Sequence, residues 1–167
     1  MPTKRRPPTE AEAAALASGL RLRVIRLTSF EAMTNKELAE RLGRDPATML
    51  HHVRKLVENG FLAPQEPRRG ARGAKEIPYL STGLSWLLDH DTGREPVGEA
   101  MLEAYLAELA EAGPGEVDSA RAVFQVPPED VAEFKERLAG LLDEFIHRPA
   151  APGRDRTAVY FAIYPSR

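Results

Sequence analysis

The sequence predicts a mainly α-helical fold with a small β component. Three observations carry this: two short amphipathic helices joined by a tight turn over 34–60, a basic, glycine-bearing β-ribbon directly after them, and helical spacing through much of the second half. A strand–helix–strand unit is expected at the C-terminal end.

The helical pair is the most clearly marked stretch. Thr34 and Glu37 form a capping box, in which the threonine hydroxyl takes the N3 amide and the glutamate reaches back to the cap. Leu38, Ala39 and Leu42 give the first helix an apolar edge, and Gly43 ends it where a left-handed residue is needed. Asp45 caps the second helix, and Pro46 sits at its first position, where a missing N–H costs nothing. Met49, Val53, Leu56 and Val57 fall at i, i+4, i+7 and i+8, a core stripe. Gly60 stops the helix.

The residues off that stripe are Ala47, Thr48, Leu50, His51 and Arg54, with Lys55 adding a cation. They are small at the leading end and hydrogen-bonding further along. Such a face fits a DNA major groove, about 12 Å wide, where it meets base edges and phosphates. The competing reading is a solvated face on an ordinary helical hairpin.

Phe61–Glu66 and Glu76–Ser81 read as two strands. Between them Arg68, Arg69, Arg72 and Lys75 accompany the turn formers Gly70 and Gly73. A cationic hairpin beside a candidate recognition helix is a wing, able to lie along phosphates or enter a minor groove. A solvated loop would explain any one of these cations, but accounts less well for four in eight residues.

Upstream, Met1–Pro8 is expected to be a disordered basic arm. Thr9 and Glu12 form a second capping box and start a helix through Leu16, with Gly19 breaking or kinking it. Leu20, Val24 and Leu27 are expected to face inward on the next helix, with Arg21, Arg23 and Arg26 outward. Downstream, Leu84–Leu88 reads as a short apolar helix, and 90–96 as a hinge. Glu95–Ala112 is a long helix whose stripe suits either a core or a contact between subunits. In the last third, Ala120–Val126 and Thr157–Tyr164 alternate as strands around an amphipathic helix starting at Pro128. Val159, Phe161 and Ile163 should cover that helix. The opposite face needs its own cover, since two strands alone are marginal. Trp86, Tyr105, Tyr160 and Tyr164 are candidates for an apolar-aromatic effector pocket, and a plain packed core is the alternative.

Composition bounds the function. At 167 residues the chain can hold one good core or two small ones. Residues 1–80 carry 15 basic and 9 acidic side chains, and residues 81–167 carry 8 and 16. A basic front half suits a polyanion partner, and an acidic rear half should point away from it. The chain has no cysteine, which excludes disulfides, thiolate metal sites and thiol switching. No apolar run reaches membrane-span length, and the first residues lack a secretory h-region, so cytoplasm is expected. His51 and His52 are adjacent and diverge on a helix, which makes them poor joint metal ligands. His90 with Asp89 and Asp91 reads as a solvated turn. No nucleophile motif, phosphate loop or paired acid and base stands out, so an enzyme, a metal site and a cofactor are not expected.

The motifs L-R-L-R-V-I-R-L at 20–27, T-x-x-E-L-A-E-R-L-G from Thr34, T-M-L-H-H-V-R-K-L from Thr48, E-N-G-F-L from Glu58 and the basic hairpin ending in Tyr79–Leu80 resemble the ArsR-like winged helix–turn–helix repressors. The resemblance spans about 16–88. It implies a homodimeric, sequence-specific bacterial transcription factor whose DNA affinity an effector sets, with the leading helix in the dimer interface. The founding members sense metals through cysteine thiolates, so that inducer does not carry over, and a non-metal small molecule is expected instead. MarR- and PadR-like regulators share the wing. The organisation expected is a basic arm over 1–8, a winged helix–turn–helix domain over 9–90, and a dimerisation and effector-binding region over 91–167. The function expected is repression from a pseudo-palindromic operator, with the 46–59 helix in the major groove and the 67–75 wing on flanking DNA. The alternatives are a winged-helix protein-interaction module and a small-molecule-binding protein with incidental DNA affinity.

Overall fold

The computed structural model describes residues 4–70, 73–89, 95–113, 115–151 and 153–166. They group into two units, Arg5–Glu111 and a second built from Ala112–Arg167 together with Lys4. The first unit runs α1 (Glu10–Leu16), α2 (Gly19–Leu27), β1 (Met33–Thr34), α3 (Asn35–Arg41), α4 (Pro46–Glu58), β2 (Leu62–Pro64), β3 (Arg68–Arg69), β4 (Lys75–Glu76), β5 (Pro78–Ser81), a 3-10 turn at Leu84–Leu87, and α5 (Glu95–Glu111). This is a mixed α and β winged-helix fold.

The helix ends form where the caps stand. Thr9 and Thr34 each complete a capping box, with Glu12 and Glu37 respectively. The break before α2 lies at Ala17 and Ser18 rather than at Gly19: the Ser18 hydroxyl accepts from the Arg21 amide, and Gly19 is the first helical residue. Gly43 and Gly60 take φ values of 59° and 76°, the left-handed region that ends α3 and α4 without a Cβ clash.

Apolar stripes from α1 to α4 then meet in one core. Leu16, Val24, Leu38, Met49, Val53 and Leu56 are fully buried, and Phe61, Leu62 and Leu88 close it from the strand side. Three short strands form an antiparallel sheet in the order β1–β5–β2. Met33–Thr34 supplies an edge strand, pairing Met33 with Tyr79 and Thr34 with Pro78. Leu62 faces Ser81 and Pro64 faces Tyr79. The ribbon continues into a separate two-stranded tip, where Arg68 faces Glu76 and Arg69 faces Lys75.

Further expectations change in this unit. Arg5–Pro8 is not a disordered arm. The Arg6 amide donates to Leu87 O at 3.0 Å, Asp89 N donates to Arg6 O at 2.7 Å, and Arg6 pairs with Glu12 at 2.6 Å. Arg21 does not face outward but is 9% exposed. Arg23 is half-buried and Arg26 is exposed as expected; they pair with Glu111 and Glu108 of α5, and Arg41 lies 3.6 Å from Glu111. The sequence reading divides the chain at residue 90, whereas packing divides it after Glu111, because α5 lies along α2. Val97, Ala100 and Ala104 are the buried face of α5. Of the 90–96 hinge, residues 90–94 lie outside the described residues.

In the second unit only the helix forms as expected. It is α6 (Pro128–Ile146), with Pro128 at its first position and Glu129 and Asp130 in its first turn, where acids favour the helix dipole. Neither 120–126 nor 157–164 is a strand, which corrects the strand–helix–strand unit. The physical reason is partnership: a two-stranded sheet is too small to hold itself, and neither segment pairs with another strand among the described residues. Val159, Phe161 and Ile163, expected to cover the helix, are exposed, and so are Phe134, Leu141 and Phe145 on the helix itself. The Phe124 ring does reach Phe134, edge to face, with centroids 5.3 Å apart.

Candidate nucleic-acid interface

The geometry of the candidate interface follows from how α4 is anchored. Met49, Val53 and Leu56 are at 0% exposure, so one face of the helix is fixed in the core. The Asp45 carboxylate accepts from Ala47 N at 2.9 Å and Thr48 N at 3.1 Å, fixing the leading turn. Asn35 on α3 donates to Pro46 O at 2.9 Å and joins the two helices across the turn. Asn59 closes the other end with a bond to Lys55 O at 2.8 Å. With that face committed, helical geometry leaves Thr48, His51 and Arg54 exposed on the other, while Leu50 and Lys55 are half-buried beside them.

A second anchor is Arg21, which the sequence reading placed on the outside. Its Nε–H donates to Ala15 O, its Nη2 donates to Ala14 O at 2.9 Å, and its Nη1 lies 3.4 Å from Nδ1 of His52. The guanidinium satisfies carbonyls of the last turn of α1, where a cation also suits the helix dipole, and it abuts α4. Burial pulls its pKa below the ordinary value. Burial first, and the Arg21 charge second, also lower the pKa of the half-buried His52. The His51 ring meets it edge to face at 5.8 Å and itself stays exposed. The signal for Arg21 was available: once Ser18 is taken as the cap, Arg21, Val24 and Ile25 share one face at i, i+3 and i+4.

The wing stands next to this helix through β2, which follows α4 by three residues. Arg69 and Lys75, cross-strand neighbours at its tip, are exposed, and neither has an ion-pair partner among the described residues. Arg68 differs, because its guanidinium pairs with the Glu37 carboxylate. Burial raises the Glu37 pKa, but hydrogen bonds from Thr34 and the Arg68 charge outweigh this and leave it lowered. That carboxylate therefore both caps α3 and holds the wing base, and it neutralises part of what Arg68 could offer a polyanion. The tip closes with Gly70 N donating to Ala74 O at 2.8 Å and Gly73, at φ 75°, turning the chain. Arg72 lies outside the described residues.

The four residues proposed for an effector pocket fall in both units. In the first, Trp86 is half-buried with the Arg5 guanidinium 4.1 Å above its ring, and Tyr105 is half-buried on α5. In the second, Tyr160 is half-buried and Tyr164 exposed. Among the described residues no three acidic or histidine side chains converge as metal ligands, and no helix is long and apolar enough to cross a membrane. His90 and Asp91 lie outside the described residues.

Comparison with known proteins bears on the fold. No curated protein matches the chain. Among solved structures, reduced HlyU from Vibrio cholerae is 17% identical at a TM-score of 0.37, over 57% of this chain and 84% of that one. A possible transcriptional regulator from Methanosarcina mazei is 16% identical at 0.35, over 61% and 82%. ZitR of Lactococcus lactis, in complex with DNA, is 18% identical at 0.33, over 76% and 74%. Residues 16–65 match the family described as a helix-turn-helix domain, and those residues are α2 to β2 together with the end of α1, the segment that builds and presents α4.

Proposed function

We propose that the protein is a homodimeric DNA-binding transcriptional regulator, a repressor, that reads a pseudo-palindromic operator. The observation that carries this is the division of α4 into a face at zero exposure and a face offering Thr48, His51 and Arg54. A helix held that firmly, with a polar and cationic outer edge, is a probe for a groove. Arg69 and Lys75 of the wing supply sequence-independent attraction to flanking phosphates, and Lys55 and Arg68 contribute at its margins. The pairing of Arg23, Arg26 and Arg41 with α5 carboxylates offsets part of their charge, whereas Arg54, Arg69 and Lys75 have no ion-pair partner among the described residues.

Two-fold assembly is supported by α5, whose Leu102 and Leu106 are exposed on the side away from α2. A dimer would place two α4 helices on half-sites about 34 Å apart, or a multiple of that. Regulation by a non-metal small molecule belongs to the same proposal, since a chain without cysteine has no thiolate with which to sense a metal.

The test is selection of bound sequences from random duplex DNA, followed by gel-shift titration of the winning sequence and of the DNA flanking the protein's own gene. A two-fold-symmetric site bound well above random DNA is expected. Binding with no sequence preference, alongside capture of an acidic protein by the wing, would favour an interaction module instead. Repeating the titration with candidate inducers tests the effector.

A further inference from the structure

One contact in the winged unit suits a single protonation state. Nη1 of Arg21 lies 3.4 Å from Nδ1 of His52. A guanidinium has donors and no acceptor, and it keeps its charge in proteins. The ring nitrogen that meets it is therefore the bare one, and the ring proton sits on Nε2. A second proton has only Nδ1 to go to. There it would face a cation instead of accepting from one, and like charges repel the more strongly where water is partly excluded.

The surroundings do not offset that repulsion. Besides Arg21 of α2, the charges acting on the ring are His51 of α4 itself and Arg44 of the turn before it. All are basic, and no carboxylate stands with them among the described residues. Acids on neighbouring helices are engaged elsewhere: Glu12 of α1 with Arg6, Glu37 of α3 with Arg68, and Glu40 of α3 with Lys36. Arg54 and Lys55 of α4 add only positive charge, and Glu58 stands well over a turn further on. β2, which also packs on α4, has no titratable side chain. Nor is Arg21 free to withdraw. Its Nε–H donates to Ala15 O and its Nη2 to Ala14 O at 2.9 Å, and those carbonyls would be left without a donor.

We infer that His52 is a proton-operated release for α4: a proton on Nδ1 sets an imidazolium against the Arg21 guanidinium, pushes this part of the helix off α2, and weakens the grip on DNA in mild acid. His51 and Arg54 move with the same helix, so their approach to bases is lost. The inference rests on the function proposed above for its effect on DNA, and on the Arg21–His52 geometry alone for the release. The sign follows from linkage. Burial and the nearby cations lower the His52 pKa in the folded chain from the ordinary 6.5. Between those two values the unfolded chain binds more protons, so stability falls as pH falls through that window. Below the folded value the native ring is itself protonated, and the correctly seated α4 becomes the minor form. This window opens well above 4.5, where loss of the Arg6–Glu12 contribution begins.

The experiment uses the full chain and the variant His52→Gln, whose amide oxygen can accept from Arg21 and takes up no proton. Trp86 is the single tryptophan and lies in the winged unit, so its fluorescence follows urea unfolding of that unit from about pH 8 to about pH 5. Each protein is read against its own value at the alkaline end. The folding constant of the wild type should fall relative to that of the variant by up to about tenfold per pH unit within the window, the one-proton limit. Anisotropy on the selected duplex should show wild-type affinity falling against that of the variant, again by up to about tenfold per unit once the native ring is protonated. Heteronuclear NMR of the wild-type ring reads the tautomer and needs no variant: at the alkaline end the proton should sit on Nε2. Parallel stability profiles, parallel affinity profiles on a selectively bound duplex, or a proton on Nδ1 at the alkaline end overturns the inference. The two readings fail separately. The stability difference in a protein without DNA preference removes the DNA reading alone, and selective DNA binding with parallel profiles removes the release alone.

Discussion

Replacing Arg69 and Lys75 together by alanine tests the electrostatic role of the wing most directly. The two face each other across β3 and β4, exposed and without ion-pair partners among the described residues. Each phosphate a protein neutralises contributes about 0.9 to the slope of log affinity against log salt. In the proposed dimer, two cations on each of two wings therefore amount to a slope change of about 3.6. Between about 50 and about 200 mM salt, a fourfold step, that corresponds to roughly a hundredfold. The variant should thus lose much affinity at low salt and little at high salt, and its ranking of DNA sequences should not change. Arg68→Ala is the internal control. Its charge is already shared with Glu37, so each wing should lose less than the full ~0.9 per cation. Fluorescence anisotropy on operator and random duplexes over a salt series reads both quantities. An unchanged slope in the double variant, or an Arg68 effect equal to that of Arg69, would refute the reasoning.

Other outcomes follow from the same geometry. His51→Ala and Arg54→Ala should shift the preferred sequence in a selection experiment while leaving the salt slope nearly intact, because the proposed reading assigns them to bases or the adjacent backbone rather than to the wing's phosphates. Met49→Ala empties a fully buried site and should cost about 2–5 kcal/mol in urea unfolding, and Asp45→Ala, which strips two amides of their acceptor, about 1 kcal/mol. The Arg6 hydrogen bond holds the Glu12 carboxyl at a pKa of about 2, below the ordinary 4.5. A depressed carboxylate stabilises the fold above its unfolded pKa and loses that contribution as pH falls from there towards the folded value. Stability should accordingly drop through this window by about 1–2 kcal/mol, tempered because solvent reaches Arg6, and Glu12→Gln should remove that part of the acid sensitivity.

The helix–turn–helix was legible because every signal there is local. Caps at Thr34 and Asp45, stops at Gly43 and Gly60, and a stripe at 49, 53 and 56 each act within a turn or two of chain, and the structure keeps them all. Pairings between distant residues were hidden. Nothing near Arg23 or Arg26 in sequence announces Glu111 or Glu108, and nothing near Arg6 announces the backbone of Leu87. Alternation at 120–126 and 157–164 was read correctly as a pattern, but a pattern marks only the capacity to pair. A ladder also needs a partner within reach, and sequence spacing does not say which chain provides it.

The arrangement around Arg21 gives a last prediction, and it separates a fixed recognition helix from a loosely held one. The guanidinium takes two carbonyls at the end of α1 and lies beside His52 of α4. Arg21→Met keeps most of the stem and removes the charge. Ala14 O and Ala15 O then lose their donor, at about 1–3 kcal/mol for each that stays buried. The histidine reports the rest. Burial is the larger cause of its lowered pKa and Arg21 the next, so the variant's His52 should titrate higher than in the wild type but still below the ordinary 6.5. Proton NMR of the His52 ring follows this. If His52 kept its titration in the variant, Arg21 would not be in electrostatic contact with α4. If it rose all the way to the ordinary value, the ring would have come out into water, and α4 would owe its position to Arg21 more than to Met49, Val53 and Leu56.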